Sequence, residues 1–199
     1  MAKRLRPRED GDMLPRRASS HPAGEPDEPA EVLLAAHERL RHFMTVGLRL
    51  PRSPNAPARI IGDTASALRR YFGSTLPQHE QAEDDCVVAR LLEVRPGRAV
   101  EHALARMAEN HRTMDDLLVP LDALWARVIA RPSELAVLGE EMHARSRALA
   151  SLLEGNLLLE EETVFPAIRQ WLPEASRRVL LRDVLDRRPS EVRIVRSHR

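Results

Sequence analysis

The chain has little of what marks secreted or membrane proteins. Its 199 residues include one cysteine, Cys86, which excludes an internal disulfide and any CxxC metal or redox motif. The sequence contains no run of about 18 apolar residues and no apolar stretch of the kind a signal peptide needs near residue 1. Basic and acidic residues nearly balance, 31 against 30, so no overall charge favours nucleic acid or an acidic membrane as a partner. A cytoplasmic location is the expectation.

Prolines are frequent, and most of them lie in the predicted tails and turns, where helices cannot continue. Five of the 15 lie in residues 1–29, a segment with many charges and few apolar residues, which predicts a disordered N-terminal tail. Residues 30–172 form the predicted main domain, and residues 173–199 a short helix, ending near residue 186, with an arginine-rich tail. Turns are expected at Pro51 to Pro57, at Pro96-Gly97 and at Arg131-Pro132.

Between these turns, apolar residues recur at steps of three and four, which is typical of amphipathic helices. The predicted helices cover residues 30–49, 58–93, 99–130 and 134–170. Pro77 is expected to kink or restart the second helix, and Ser133 to cap the fourth. No useful length alternates with period two, so strands are not expected. Four long helices with short connections predict an all-α, antiparallel up-down four-helix bundle.

Each predicted helix carries unusual polar residues inside its apolar stripe. His37 and His111 lie 74 residues apart, on the first and third helices. His79 and Glu83 on the second helix lie 77 residues before Asn156 and Glu160 on the fourth. This spacing indicates two similar helical hairpins, with one polar layer at matched heights on all four helices.

Taken together, the residues of this layer are better explained by a metal site than as separate core residues. A lone histidine in an apolar stripe is usually a hydrogen-bonded core residue, and His-x-x-x-acid spacing arises by chance at this composition. Residues four apart share a helix face, however, so His79 and Glu83 can meet at one interior point. Burying them with His37, His111 and Glu160 without a cation would cost several kcal/mol for each carboxylate. Two carboxylates flanked by histidines are typical of di-iron and di-manganese sites in bundles.

Over about residues 30–170 the pattern resembles the hemerythrin-like, or HHE cation-binding, domain family. The resemblance is carried by His37, by His79-x-x-x-Glu83, by His111, and by the run Glu-Glu-Glu-Thr-Val-Phe-Pro that begins at Glu160. It implies a non-haem di-iron site that binds O2 or related small molecules, with roles in oxygen carriage, sensing, iron handling or stress response. His37, His79 and His111 would be terminal ligands, and Glu83 and Glu160 would bridge.

The main departure is Asn156, which stands where the family has its fourth-helix histidine. An amide oxygen suits harder cations than iron and is a weaker ligand than imidazole. Three outcomes stay open: two iron ions with water or Asn156 in the gap, one retained ion, or a bundle that no longer holds metal. Asp115 is interpreted as a solvated acid rather than an extra ligand. Glu161 and Glu162 are expected to face solvent.

Two function classes follow. The first is a cytoplasmic iron-binding bundle that binds or senses O2, NO or peroxide or handles iron; the missing imidazole argues against reversible O2 carriage. An oxidase or peroxidase would use the same site, and the sequence does not separate a sensor from an enzyme. The second class is a metal-free interaction module with a degraded site. The expected ligand is a small diatomic molecule or a peroxide, and the sequence indicates no partner protein.

Overall fold

The computed structural model describes residues 26–187, which form an all-α bundle without strands. Most of the predicted N-terminal tail and the arginine-rich segment beyond Arg187 lie outside the described residues. The first bundle helix, α1, is Pro29–Arg49, and the third, α5, is Arg98–Ala130. Both match the predicted bounds to within one residue. None of the described helices combines the length and the apolar character that crossing a bilayer requires.

The second and fourth bundle helices are continuous but contain π turns, which the sequence did not predict. The second comprises α2, α3 and α4, separated by the π turns Tyr71–Thr75 and Glu83–Val88. The fourth comprises α6 and α7, separated by the π turn Glu160–Val164. The bounds of these helices are Ala58–Arg70 for α2, Leu76–Ala82 for α3, Ala89–Glu93 for α4, Leu135–Leu159 for α6 and Phe165–Trp171 for α7.

Several prolines lie at helix boundaries as expected, whereas Pro120 lies inside α5. A π turn precedes Pro77, whose missing N–H interrupts the regular helical hydrogen bonding. Gly97 begins α5 with a positive φ of 91°, a conformation that favours glycine. The prediction that Ser133 caps the fourth helix was wrong. Ser133 lies in the 3-10 turn Pro132–Glu134, and Glu134 precedes α6 without a side-chain capping bond.

The four bundle helices pack around a square. Helix α1 contacts α2 and α6, and α5 contacts the same two helices. The chain then continues into α8, Glu174–Asp186, which packs against α1 and buries Leu180 and Val184. The short helix predicted after Pro173 is therefore present, and it packs on the bundle.

The core consists of two apolar clusters with the polar layer between them. Along α1, Leu33 belongs to one cluster and Leu40 to the other, and His37 lies between them. The same order holds along α5, where Met107 and Met114 flank His111. The polar layer is thus sealed from solvent at both ends by apolar side chains.

One close contact fixes the connection between α1 and α2 against the fourth bundle helix. Gly139 of α6 is buried, and a Cβ atom at this position would lie 2.8 Å from the backbone oxygen of Pro51. Only a residue without a side chain allows this approach. Gly155 of the same helix is exposed, and a Cβ there would meet nothing within 4 Å.

We therefore expect Gly139→Ala to lower the free energy of unfolding by about 1–3 kcal/mol, because neither the backbone oxygen nor the helix can move freely. Gly155→Ala should raise it by roughly 0.5–1 kcal/mol through better helix propensity. Urea denaturation of both variants measures the difference. Equal stability of the two variants would contradict the close packing of this connection.

Candidate metal centre

The polar layer contains the residues that the sequence analysis singled out. His37, Glu83, His111, Asn156 and Glu160 are each at most 5% exposed. The side chain of His79 is 11% exposed. They come from all four bundle helices. The first helix contributes His37 and the third contributes His111. The second contributes His79 and Glu83, and the fourth contributes Asn156 and Glu160. The predicted layer therefore exists, with the residues at matched heights.

Four of these residues form a tight cluster. One ligand atom from each of His37, His79, Glu83 and Glu160 lies within 4.8 Å of the other three. His37 Nε2 is 2.9 Å from Glu160 Oε2 and 3.8 Å from Glu83 Oε1, and His79 Nε2 is 3.4 Å from Glu83 Oε1. We call this cluster the first position.

His111 lies on the opposite side of the two carboxylates. Its Nε2 is 3.7 Å from Glu83 Oε2 and 3.7 Å from Glu160 Oε1. Each carboxylate therefore has one oxygen toward the first position and the other toward His111. This is the arrangement that a bridging carboxylate requires.

Both of these glutamates stand at the start of a π turn. Glu83 begins the turn that follows α3, and Glu160 begins the turn that follows α6. A π turn widens the helix locally and is frequent at functional sites. The periodicity of the sequence does not reveal it, because the apolar stripe continues on either side.

Acidic residues directly after the two glutamates orient two histidines. His37 Nδ1 is 2.7 Å from Glu161 Oε1, and His111 Nδ1 is 3.4 Å from Asp84 Oδ1. An ionised carboxylate only accepts hydrogen bonds, so it keeps a proton on Nδ1 and leaves Nε2 free to bind a metal. The expectation that Glu161 faces solvent was wrong. Its side chain is 21% exposed and also contacts Arg41 at 2.9 Å.

Asn156 is buried in the layer, and both atoms of its amide have partners. Its Nδ2 donates a short hydrogen bond to Glu160 Oε1, and its Oδ1 accepts one of 3.0 Å from Asn110 Nδ2. Because Glu160 accepts, the orientation of the Asn156 amide is fixed with its nitrogen toward the carboxylate. Asn110 was not singled out from the sequence.

Glu80 is a second residue that the sequence analysis missed. It is 7% exposed, and its Oε1 is buried without a hydrogen-bond partner among the described residues. Its carboxyl interacts electrostatically with His111 and Glu160. A signal was present, because Glu80 lies three residues before Glu83 and so near the same helix face, but Glu80 directly follows His79 and falls outside the His-x-x-x-Glu pattern. Asp115 is exposed, as predicted.

The charges of the layer are strongly perturbed. Burial lowers the pKa of His37 and of His111, but hydrogen bonding to their acidic neighbours outweighs burial and raises the pKa of each to about 10. Burial lowers the pKa of His79 to about 3 and raises the pKa of Glu80 and of Glu83 to about 8. Contacts with His111 and His37 overcome burial and hold the pKa of Glu160 below its usual range.

Seven nitrogen and oxygen atoms of the layer are buried without a geometrically regular hydrogen bond from the rest of the described chain, although two of them, His37 Nε2 and Glu160 Oε2, lie 2.9 Å apart as an ion pair. They are His37 Nε2, His79 Nε2, Glu80 Oε1, both carboxylate oxygens of Glu83, His111 Nε2 and Glu160 Oε2. Buried polar atoms nearly always have partners, so such a concentration indicates a missing one. Imidazole nitrogens with carboxylate oxygens are a donor set that suits divalent transition metals.

Comparison with protein families agrees with this geometry. A model of the hemerythrin HHE cation-binding domain matches residues 28–168. The chain belongs to this family. No curated protein and no solved structure matches it. The matched range ends before α8, which packs against α1.

Without metal, the folded bundle should become less stable as the pH rises from 7 to 10. The folded-state pKa values of Glu80 and Glu83 are about 8 and those of His37 and His111 about 10, all above their unfolded values. The contribution of each group to the free energy of unfolding is complete below its unfolded-state pKa. It is lost as the pH rises past its folded-state pKa. The chain has a single lysine and a single tyrosine, so few other side chains titrate in this range.

Urea midpoints in the presence of a chelator, at pH 7, 8.5 and 10, measure this loss. Glu80→Gln should reduce the fall in stability because it removes one titrating group, whereas Glu162→Gln, at an exposed position, should leave it unchanged. Stability that is constant or rises from pH 7 to 10 would contradict the assigned directions.

Proposed function

We propose that this protein binds non-haem iron in the polar layer and uses it to bind or sense a small molecule such as O2, NO or peroxide. The observation that carries the proposal is the set of buried imidazole and carboxylate atoms without partners. The first position offers two nitrogen and two oxygen donors, a mixed set that suits iron among the first-row metals. Membership of the HHE family supports a cation as the partner of these atoms.

The residues of the layer would have distinct tasks. His37 and His79 would be terminal ligands, and Glu83 and Glu160 would supply carboxylate oxygens on the side facing them. Glu161 would hold the His37 ring in its ligating orientation, and Asn156 would orient Glu160 through its amide. When bound, iron supplies an open coordination position and a change of oxidation state.

A cavity beside the first position supports a small ligand. Its wall includes His79, Tyr71 and Arg39 and, from the C-terminal helix, Val184. The volume open to the centre of a water-sized sphere is about 30 Å³. One water needs about 10–15 Å³ by the same measure, so the cavity has room for a molecule of two or three heavy atoms.

A metal-free interaction module has no such support. Leaving Glu83 and its neighbours buried without a counter-ion costs several kcal/mol, which a bundle kept only for its surface would lose by apolar substitution. Within residues 26–187, the exposed large hydrophobic residues are scattered over several helices and give that alternative no defined docking face.

Iron loading tests the proposal. We expect the full chain, reconstituted with ferrous iron without oxygen, to retain iron through desalting and to unfold at a higher temperature than the metal-free form. At a metal concentration 100 times Kd, the stabilisation is about 2.7 kcal/mol. His79→Gln should lose most of the iron, whereas His102→Gln, at an exposed position of α5, should keep it. Wild-type protein that retains no iron would refute the proposal.

The contact between His37 and Glu161 allows a second test. Glu161→Ala should weaken ferrous iron binding about 10- to 100-fold, because the His37 ring loses the acceptor that fixes its orientation. The neighbouring exposed residue provides a matched control, since Glu162→Ala should leave the affinity unchanged. Competition with a ferrous chelator under anaerobic conditions measures both variants. Equal affinities would show that Glu161 does not position a ligand.

A further inference from the structure

The C-terminal end of α8 contacts the second bundle helix beside Glu83. Arg187 directly follows α8, and its guanidinium forms an ion pair of 2.7 Å with Asp85. The same guanidinium donates a hydrogen bond of 3.4 Å to the carbonyl oxygen of Gln81. Gln81 lies two residues before Glu83, and Asp85 lies two residues after it. One side chain at the end of α8 therefore contacts the chain on both sides of this glutamate.

A second ion pair connects α8 with the other end of the same π turn. Asp183, one turn before Arg187, pairs with Arg90. Arg90 also donates a hydrogen bond of 3.0 Å to the carbonyl oxygen of Cys86, which lies inside the π turn Glu83–Val88. Two arginines, one next to α8 and one paired with it, thus bind backbone oxygens at the place where the regular α-helical pattern is interrupted. These contacts support the turn that carries Glu83 into the polar layer.

Apolar contacts of α8 lie next to these ion pairs. Leu180 and Val184 are buried in the apolar cluster that also contains Val87 of the π turn. Val184 and Arg187 also form part of the wall of the cavity beside His79. The last two turns of α8 therefore contact both the turn that carries one proposed ligand and the cavity next to another.

We propose that Asp183 and Arg187 are positioning residues for the metal centre, and that docking of α8 and binding of iron strengthen each other. This inference rests on the proposed function, since it requires Glu83 to bind iron. With α8 docked, the ion pairs hold the π turn in the conformation that directs Glu83 toward His37 and His79. Coupling between two binding events is reciprocal, so iron that holds Glu83 in place stabilises docked α8 by the same factor.

The attachment of α8 is weaker than that of the bundle helices. Helix α8 has two buried residues, Leu180 and Val184, whereas α1 has seven. The side chains of Arg187 and Asp85 are 41% and 48% exposed, and exposed ion pairs contribute little and weaken with salt. A segment with few buried contacts can open while the rest of the protein stays folded. Undocking of α8 would open the cavity beside His79, so this helix links the metal content of the layer to the protein surface.

Hydrogen–deuterium exchange tests the coupling on the full wild-type chain. Exchange is compared without metal and with ferrous iron, both without oxygen. We expect iron to slow exchange in residues 83–88 and also in α8, which contains none of the proposed ligands, and to do so more than in residues 121–130 at the far end of α5. Protein that retains iron but shows no added protection of α8 over this reference would overturn the coupling.

The rate of iron release to an excess of ferrous chelator tests the positioning role. Asp183→Asn and Arg187→Gln should each speed release about 2- to 5-fold, the effect expected of a partly exposed ion pair, and the double variant should exceed either. Arg187→Lys keeps the charge opposite Asp85 and should release iron at close to the wild-type rate. Arg178→Gln is the matched control, because Arg178 is exposed and pairs with Glu174 of its own helix.

The melting temperature of each metal-free variant checks that the bundle folds. Leu180→Ala weakens docking without altering either ion pair, so it serves as a second variant and should also speed release. Val179→Ala, at an exposed position of α8, is its control. Wild-type release rates in both Leu180→Ala and the double variant would overturn the positioning role while leaving iron binding intact. A wild-type chain that retains no iron would instead refute the proposed function.

Discussion

The structure depends on how it compensates for burying carboxylates and imidazoles at the centre of an apolar bundle. Glu83 and Glu160 are each at most 1% exposed, and apolar clusters close the layer on both sides. Taking such groups out of water costs several kcal/mol each unless partners restore the lost hydration. Part of that cost is offset within the chain, through His37 and Glu160 and through Asn156. The atoms that remain without a hydrogen bond form a group that could hold a metal ion.

Each of the two helical hairpins has the same contact between an acidic residue and a histidine. The acid that follows each central glutamate contacts a histidine from another helix: Glu161 contacts His37, and Asp84 contacts His111. The repeat is broken at one pair of positions, where His79 on the second helix corresponds to Asn156 on the fourth. One side of the layer therefore keeps two imidazoles and the other keeps one. At Asn156 an amide stands in place of an imidazole, and its hydrogen bond to Glu160 Oε1 satisfies that carboxylate oxygen.

Apolar periodicity and proline positions were enough to predict the helices and the bundle. The 74- and 77-residue spacings were enough to predict which residues share a layer, because residues at matched heights on antiparallel helices must meet. Three features could not be predicted in this way. The π turns at Glu83 and Glu160 leave no mark on the apolar stripe. Burial of Glu80 and the inward turn of Glu161 depend on tertiary packing, which a single helical stripe does not encode. The sequence did contain one signal for the role of Glu161. An acidic residue directly follows the central glutamate in both hairpins, as Glu83-Asp84 and as Glu160-Glu161.

In the proposed function, imidazole nitrogens and carboxylate oxygens of the polar layer bind iron directly. X-ray absorption at the iron K-edge, on the full chain loaded with ferrous iron without oxygen, tests this most directly because it reports the atoms around the metal. If histidine and glutamate side chains bind the iron, the spectrum should show a mixed nitrogen and oxygen shell together with the outer-shell scattering of imidazole rings. A shell of oxygen alone, with no imidazole scattering, would contradict it.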